Sequence, residues 1–243
     1  MKISRIKGIL LLSFVQIICV IGYAALSIMK QSSFTWDNYS FMDFYTNINR
    51  GRDFFWTLFI SMLLGYVLML SPMSNSNRLL IYGSRKRIFW RSFLYTILYT
   101  VWSIGIVLLS VAAVSVFLGK PFYNWKEYGS YYNVTMGKIN PYPLFLILGL
   151  QVFLLIIRGI IFGCLILMTS YKKLLSGLFM CITIGMVDFL QNRVLLFLRL
   201  TSLDFSFWNG SIGEKVFRLV ISVGSAIVLT FVAYQVVKRR EYV

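Results

Sequence analysis

The sequence predicts an all-helical integral membrane protein, from its composition and from the spacing of its apolar residues. Of the 243 residues, 58% are apolar and only 13% are charged. Soluble domains are about one quarter charged, and a chain of this length has too small an interior to bury so much apolar surface. The apolar residues also form runs of about 18 to 27 residues, and about 20 helical residues cross the hydrocarbon of a bilayer.

Six transmembrane helices are predicted, and together they form a single transmembrane domain covering residues 1–243. The run from Gly8 to Met29 is longer than the hydrophobic region of a signal peptide and lacks an obvious cleavage site, so it is interpreted as the first span. The spans are expected at residues 8–29, 54–70, 92–118, 144–168, 174–190 and 216–237.

The segment that follows the fifth span does not fit a simple loop. Polar residues interrupt the apolar pattern from Asp188 to Arg193, and the next apolar run, 194–200, is too short to span a bilayer. Residues 191–215 are therefore expected to form short helices at the outer membrane face or dipping into it. Aromatic residues in the two other outer loops are predicted to anchor at the membrane interface, with a vestibule for an amphipathic peptide as the alternative.

The basic residues of the chain are concentrated in the segments that flank the predicted spans on one side. The net charge is +16, and the segments on the side of both termini carry 13 Lys and Arg against one acidic residue, Glu241. Basic residues flank spans on the cytoplasmic side, so both termini are predicted to be cytoplasmic in a multi-pass plasma-membrane protein. This placement accounts for the charge, and no nucleic-acid partner is expected.

Several kinds of chemistry lack the residues they need. There is no histidine, which removes the usual base of hydrolases and a common ligand of zinc and haem. Cys19, Cys164 and Cys181 all lie in apolar runs without the spacing of a metal site or a disulfide framework. No P-loop is present. We therefore expect a chain that is not an enzyme and holds no cofactor or metal of its own.

Two charged residues fall inside predicted spans. Arg158 lies near the middle of the fourth span, and Asp188 lies in the outer half of the fifth. A charge at that depth requires a partner or a water-filled cavity. A structural ion pair or an interfacial position is one interpretation, and a role in substrate passage or gating is the other.

Residues 71–91, between the second and third spans, carry five basic residues and no acidic one. Asn and Ser residues at 74–77 are suited to cap a short helix from Arg78 to Tyr82, and Gly83 is suited to end it. A short helix followed by a basic turn would serve as a docking element for a cytoplasmic partner. A simple positive-inside anchor explains the charges but not the helix signals, and both interpretations stay open.

These features together resemble the permease subunits of ABC-2-type transporters, especially the small stand-alone permeases of bacterial peptide-export and lantibiotic-immunity systems. The resemblance covers nearly the whole chain in layout: six spans, an interrupted segment after the fifth and a basic C-terminus. Its motif runs from Arg78 to Trp90 and reads Arg-Leu-Leu-Ile-Tyr-Gly-Ser-Arg-Lys-Arg-Ile-Phe-Trp.

The resemblance implies a type V-like transmembrane domain that pairs with a second copy or a paralogue. A separate ATP-binding cassette subunit would supply ATP and Mg²⁺. Residues 192–213 would correspond to the extracellular re-entrant helices, whereas the N-terminal connecting helix of larger members is reduced to about seven residues. The loop between the second and third spans would be the coupling helix, with contacts to the ATPase at Arg78, Tyr82, Gly83, Ser84, Arg85, Lys86 and Arg87.

The expected function is export of a hydrophobic or amphipathic compound, a peptide first of all, through the lipid bilayer. The alternative is a non-transporting six-span membrane protein that confers immunity or scaffolds partners. Only the first hypothesis predicts an ATPase partner.

Overall fold

A computed structural model describes residues 2–30, 37–70, 84–169, 179, 181–183, 201 and 204–239. Every regular element within these residues is a helix, which confirms the all-helical fold class. Four of the helices are apolar and long enough to cross a membrane, at Ile6–Met29, Arg85–Phe117, Leu144–Leu167 and Ile212–Arg239. Most of the predicted fifth span, and Asp188 within it, lie outside the described residues.

A shorter apolar helix is built from three consecutive segments. A π-helical turn interrupts its α-helical hydrogen bonding, but the residues on either side, Phe54 and Ile60, keep helical backbone angles, so the helix continues through it. The elements in chain order are α1 (Lys2–Lys30), α2 (Phe41–Ile48), α3 (Gly51–Phe54), the π-helical turn (Phe55–Phe59), α4 (Ile60–Leu70), α5 (Arg85–Phe117), α6 (Tyr131–Met136), α7 (Leu144–Leu167), α8 (Phe205–Asn209) and α9 (Ile212–Arg239).

Of the described long helices, α1 and α5 run in one direction through the bundle, and α4, α7 and α9 run in the opposite direction. Gly8 near the start of α1 lies against Leu68 near the end of α4, and Arg85 at the start of α5 contacts Lys238 at the end of α9. The beginning of α1 and the end of α9 therefore lie at the same end of the bundle, which we call the terminal end. The opposite end, which contains residues 37–53 and 118–143, is called the loop end.

The centre of the bundle is a close contact between α5 and α7. Gly159 and Gly163 are one turn apart on α7, and the side chains of Thr100 and Thr96 on α5 occupy the space that a Cβ would need at each glycine. Small residues four apart let helix backbones approach closely in a membrane, where packing drives association. The glycine pair therefore sets the distance between α5 and α7.

The loop end is closed by a packed cap, made of residues 37–50, 118–143 and 204–211. All eight residues of α2 are buried, and its first turn carries a capping box in which Ser40 and Asp43 satisfy each other's backbone amides. The Trp125 ring stacks on Tyr132, with centroids 4.7 Å apart. Most aromatic side chains described in the two outer loops pack against one another, whereas Phe122 and Tyr128 are 50% and 87% exposed. Their anchoring at a membrane interface stays a prediction.

Two helices start outside their predicted spans. α5 begins at Arg85, seven residues before the expected start of the third span, because the Ser84 side chain accepts a hydrogen bond from the Arg87 amide and caps the helix there. α9 begins at Ile212, within the predicted outer segment 191–215. In that segment, the described residues also include the short helix α8, which is capped by Asp204.

Candidate functional site

The predicted coupling residues fall into two groups. Arg78, Tyr82 and Gly83 lie outside the described residues. Ser84, Arg85, Lys86 and Arg87 lie at the cap and in the first turn of α5, at the terminal end.

Arg85 joins two helices that are far apart in the sequence. Its guanidinium donates a hydrogen bond of 2.9 Å to the carbonyl oxygen of Lys238, in the last turn of α9. A basic side chain is favourable there because the last carbonyls of a helix are unpaired and carry partial negative charge. This contact joins the start of α5 to the end of α9.

An apolar groove lies beside this contact, between α5, α7 and α9. Its volume is about 570 Å³. The Phe89 ring meets Tyr234 edge to face across it, with centroids 5.3 Å apart. The groove is lined mainly by apolar and aromatic side chains, with Lys86 at its edge.

Arg158 is almost completely buried, with 1% of its surface exposed. Its guanidinium donates two hydrogen bonds, of 3.3 and 3.2 Å, to the carbonyl oxygen of Asn49, which follows α2. It also donates to the side chain and the carbonyl oxygen of Thr201, at 2.9 and 3.1 Å. The ring of Phe54 covers the guanidinium, 4.3 Å from the ring centroid. Arg158 therefore connects α7 to the end of α2, to Phe54 at the end of α3 and to Thr201.

Asp188 lies outside the described residues, so its pairing with Arg158 stays a prediction. Arg158 follows Leu144 by fourteen residues, about 21 Å along α7. Asn49 meets it at this depth, so the chain between α2 and α3 descends well into the bundle. These contacts suit a positioning role for Arg158 at the base of the cap.

Sequence reasoning missed a second polar contact on the same face of α7. Gln151 lies seven residues before Arg158, which is two helical turns, and its amide donates a hydrogen bond of 2.7 Å to Thr46 on α2. Two polar residues at this spacing in an apolar helix are a readable signal of a polar face. The partners Thr46, Asn49 and Thr201 could not be predicted in this way, because the sequence predicts loops for the segments that contain them.

The cap contains a buried carboxylate. Asp43 accepts hydrogen bonds from the amide and the hydroxyl of Ser40, at 2.8 and 2.6 Å, and from the Trp125 indole at 2.8 Å. Burial raises the pKa of Asp43 to about 7, although these hydrogen bonds act in the opposite direction. Among the described residues, no group of three His, Cys, Asp or Glu side chains could hold a metal ion.

Comparison of the chain with models of known protein families, with curated proteins and with solved structures finds no match. The functional assignment therefore rests on the chain's own residues and geometry.

Proposed function

We propose that the chain is the membrane-spanning permease subunit of an ABC-2-type transporter, with six spans and both termini in the cytoplasm. It would export a hydrophobic or amphipathic compound, a peptide first of all, driven by a separate ATP-binding cassette subunit. A second copy or a paralogue would complete the transporter, in the plasma membrane of a bacterium.

One observation carries this proposal: the basic segment after α4 leads directly into a capped helix that is bonded to α9 at the same end of the bundle. A subunit docked on residues 71–87 would act on two long helices at once, through the Arg85 contact with Lys238. A simple positive-inside anchor needs no such connection.

The proposed transmission runs from the terminal end to the loop end. Displacement of α5 acts on α7 through the contacts of Thr96 and Thr100 with the two glycines. Arg158 on α7 then acts on the cap through Asn49, and on the neighbouring chain at Thr201. Coupling of this kind requires contacts that differ between two states, and the groove between α5, α7 and α9 offers an apolar compound a place within the bilayer.

The test is the ATP hydrolysis rate of the purified permease–ATPase complex, reconstituted in lipid vesicles. We expect Arg85→Ala to lower the hydrolysis rate several-fold without loss of the complex, because the docking segment no longer acts on α9. Lys126→Ala is the matched control, since Lys126 is an exposed basic residue of the cap. Equal rates for the Arg85 variant, the control and the native protein would refute the coupling role.

A further inference from the structure

A second cavity lies at the loop end, between α1 and the π-helical turn. Its volume is about 590 Å³, within the range of about 300 to 1,000 Å³ that small-molecule sites occupy. Its wall is rich in polar and aromatic side chains, unlike the apolar groove at the other end. The residues that matter here are Tyr23, Ser27, Arg50, Asp53, Trp56 and Tyr131.

The cavity is lined by a basic side chain, an acidic side chain and aromatic rings. Arg50 precedes α3 and Asp53 lies within it, so both charges come from one short stretch of chain. Asp53 is positioned by the Tyr23 hydroxyl, which donates to its carboxylate at 3.4 Å, and by the Thr57 hydroxyl, which donates to its carbonyl oxygen at 2.7 Å. A guanidinium suits a phosphate, whereas a carboxylate beside aromatic rings suits an ammonium group.

The cavity lies near the ends of two apolar helices, where lipid headgroups are expected. The apolar span of α1 ends at Met29, and the cavity residues Tyr23 and Ser27 belong to its last two turns. Trp56 lies at the start of the apolar helix Phe55–Leu70. At the rim, Leu26 and Trp56 are 54% and 64% exposed, so the cavity has an apolar border toward the bilayer. Tryptophan and tyrosine are enriched at this boundary.

The π-helical turn is an independent indication of a ligand site. Such turns are rare and occur frequently at functional sites. Trp56 and Thr57, which both line the cavity, belong to this turn. The irregular backbone therefore forms part of the cavity wall.

We propose that this cavity binds the headgroup of an aminophospholipid, with the ammonium group at Asp53 and Trp56 and the phosphate at Arg50. The ligand enters sideways from the bilayer, past Leu26 and Trp56, and its acyl chains stay in the hydrocarbon. This site does not depend on the proposed transport function.

The test is native mass spectrometry of the delipidated full chain with added phosphatidylethanolamine or phosphatidylglycerol. The first lipid carries both an ammonium and a phosphate, and the second lacks the ammonium. We expect the tightest site to prefer phosphatidylethanolamine by about tenfold, since a hydrogen bond to a charged group has about this effect.

Variants locate the site. Asp53→Asn abolishes the preference, Arg50→Gln weakens the binding of both lipids, and Trp56→Leu, at an exposed position, lowers the affinity for phosphatidylethanolamine alone. The controls Glu127→Gln and Lys126→Gln remove exposed charges of the cap and leave the preference unchanged. Equal affinity for the two lipids, or an unchanged preference in Asp53→Asn, would overturn the proposal.

Discussion

At the scale of single residues, Arg158 links parts of the chain that lie far apart in sequence. A charged side chain inside a membrane helix costs about 2.5 to 3.5 kcal/mol on insertion scales unless it finds partners. Arg158 finds them in the oxygens of Asn49 and Thr201, and the Phe54 ring shields it. Its guanidinium therefore stabilises the approach of three segments to α7.

Replacing Arg158 by Ala is expected to lower the free energy of unfolding in detergent micelles by roughly 2 to 4 kcal/mol, because buried oxygens lose their donors. Arg158→Lys should fall between this variant and the native chain, since one ammonium cannot reach both segments. Lys138→Ala, at an exposed cap position, should change the value by less than about 0.5 kcal/mol. Native stability in Arg158→Ala combined with lost transport would contradict the positioning role and favour a direct role in substrate passage.

We expect Asp43 to make the stability of the cap depend on pH. Its pKa of about 7 in the folded chain lies above the value of about 3.9 in an unfolded one. The folded state therefore holds this proton more tightly, and the stability that it contributes is complete below about pH 4 and is lost as the pH rises through about 7.

Amide hydrogen exchange of residues 41–48 checks this prediction, after correction for the intrinsic rate. Protection should be higher at pH 5 than at pH 8, and Asp43→Asn should remove the difference. With no histidine in the chain, few other groups titrate in this window. The same protection at both pH values in the native protein would show that the Asp43 proton does not stabilise the cap.

The sequence identifies some of these important residues but not their partners. Arg158 stands out because a charge is rare in an apolar run, and the Ser40 to Asp43 spacing is a readable capping signal. The partners of Arg158 are 43 and 109 residues away, and no local pattern predicts which distant carbonyl oxygens a buried arginine will reach.

At the scale of elements, the α5–α7 contact depends on the absence of side chains at Gly159 and Gly163. Adding a methyl group there pushes against Thr100 or Thr96. Glycines four residues apart are visible in the sequence of an apolar helix, whereas the helix that they face is not, because several spans have similar composition.

Gly159→Ala and Gly163→Ala are each expected to lower the free energy of unfolding by about 1 to 3 kcal/mol, because the helices must separate or side chains must leave their preferred rotamers. Gly149→Ala is the matched control on the same helix, since nothing lies within 4 Å of the position that its Cβ would take. The control should be neutral or stabilised by up to about 1 kcal/mol, as glycine is a poor helix former. Destabilisation by all three substitutions alike would place the effect in α7 itself rather than at its contact with α5.

Some helix boundaries cannot be predicted from hydrophobic periodicity. The apolar run of the third span starts after Arg91, but the helix starts at Arg85, because a capping serine and not hydropathy determines where helical hydrogen bonding begins. Similarly, the sequence of α2 resembles a polar loop, although all eight of its residues are buried and the helix packs against α1 and α5.

At the scale of the whole molecule, the composition was sufficient to predict an apolar helical bundle, and the four long apolar helices agree with it. The two ends of the bundle differ in character. The terminal end carries basic residues in the first turn of α5 and the last turn of α9, whereas the loop end carries the packed cap. The proposed permease would use the basic terminal end to dock its partner subunit.

The proposed transport function requires that an ATP-binding subunit docks at the terminal end. The most direct measurement is purification of the tagged chain from its native membrane in mild detergent, with identification and quantification of co-purified proteins by mass spectrometry. We expect recovery of a P-loop ATPase in a fixed ratio to this chain, together with ATP hydrolysis by the purified sample. A chain that purifies alone or only with copies of itself, without ATP hydrolysis, would contradict the permease function and favour the immunity or scaffold alternative.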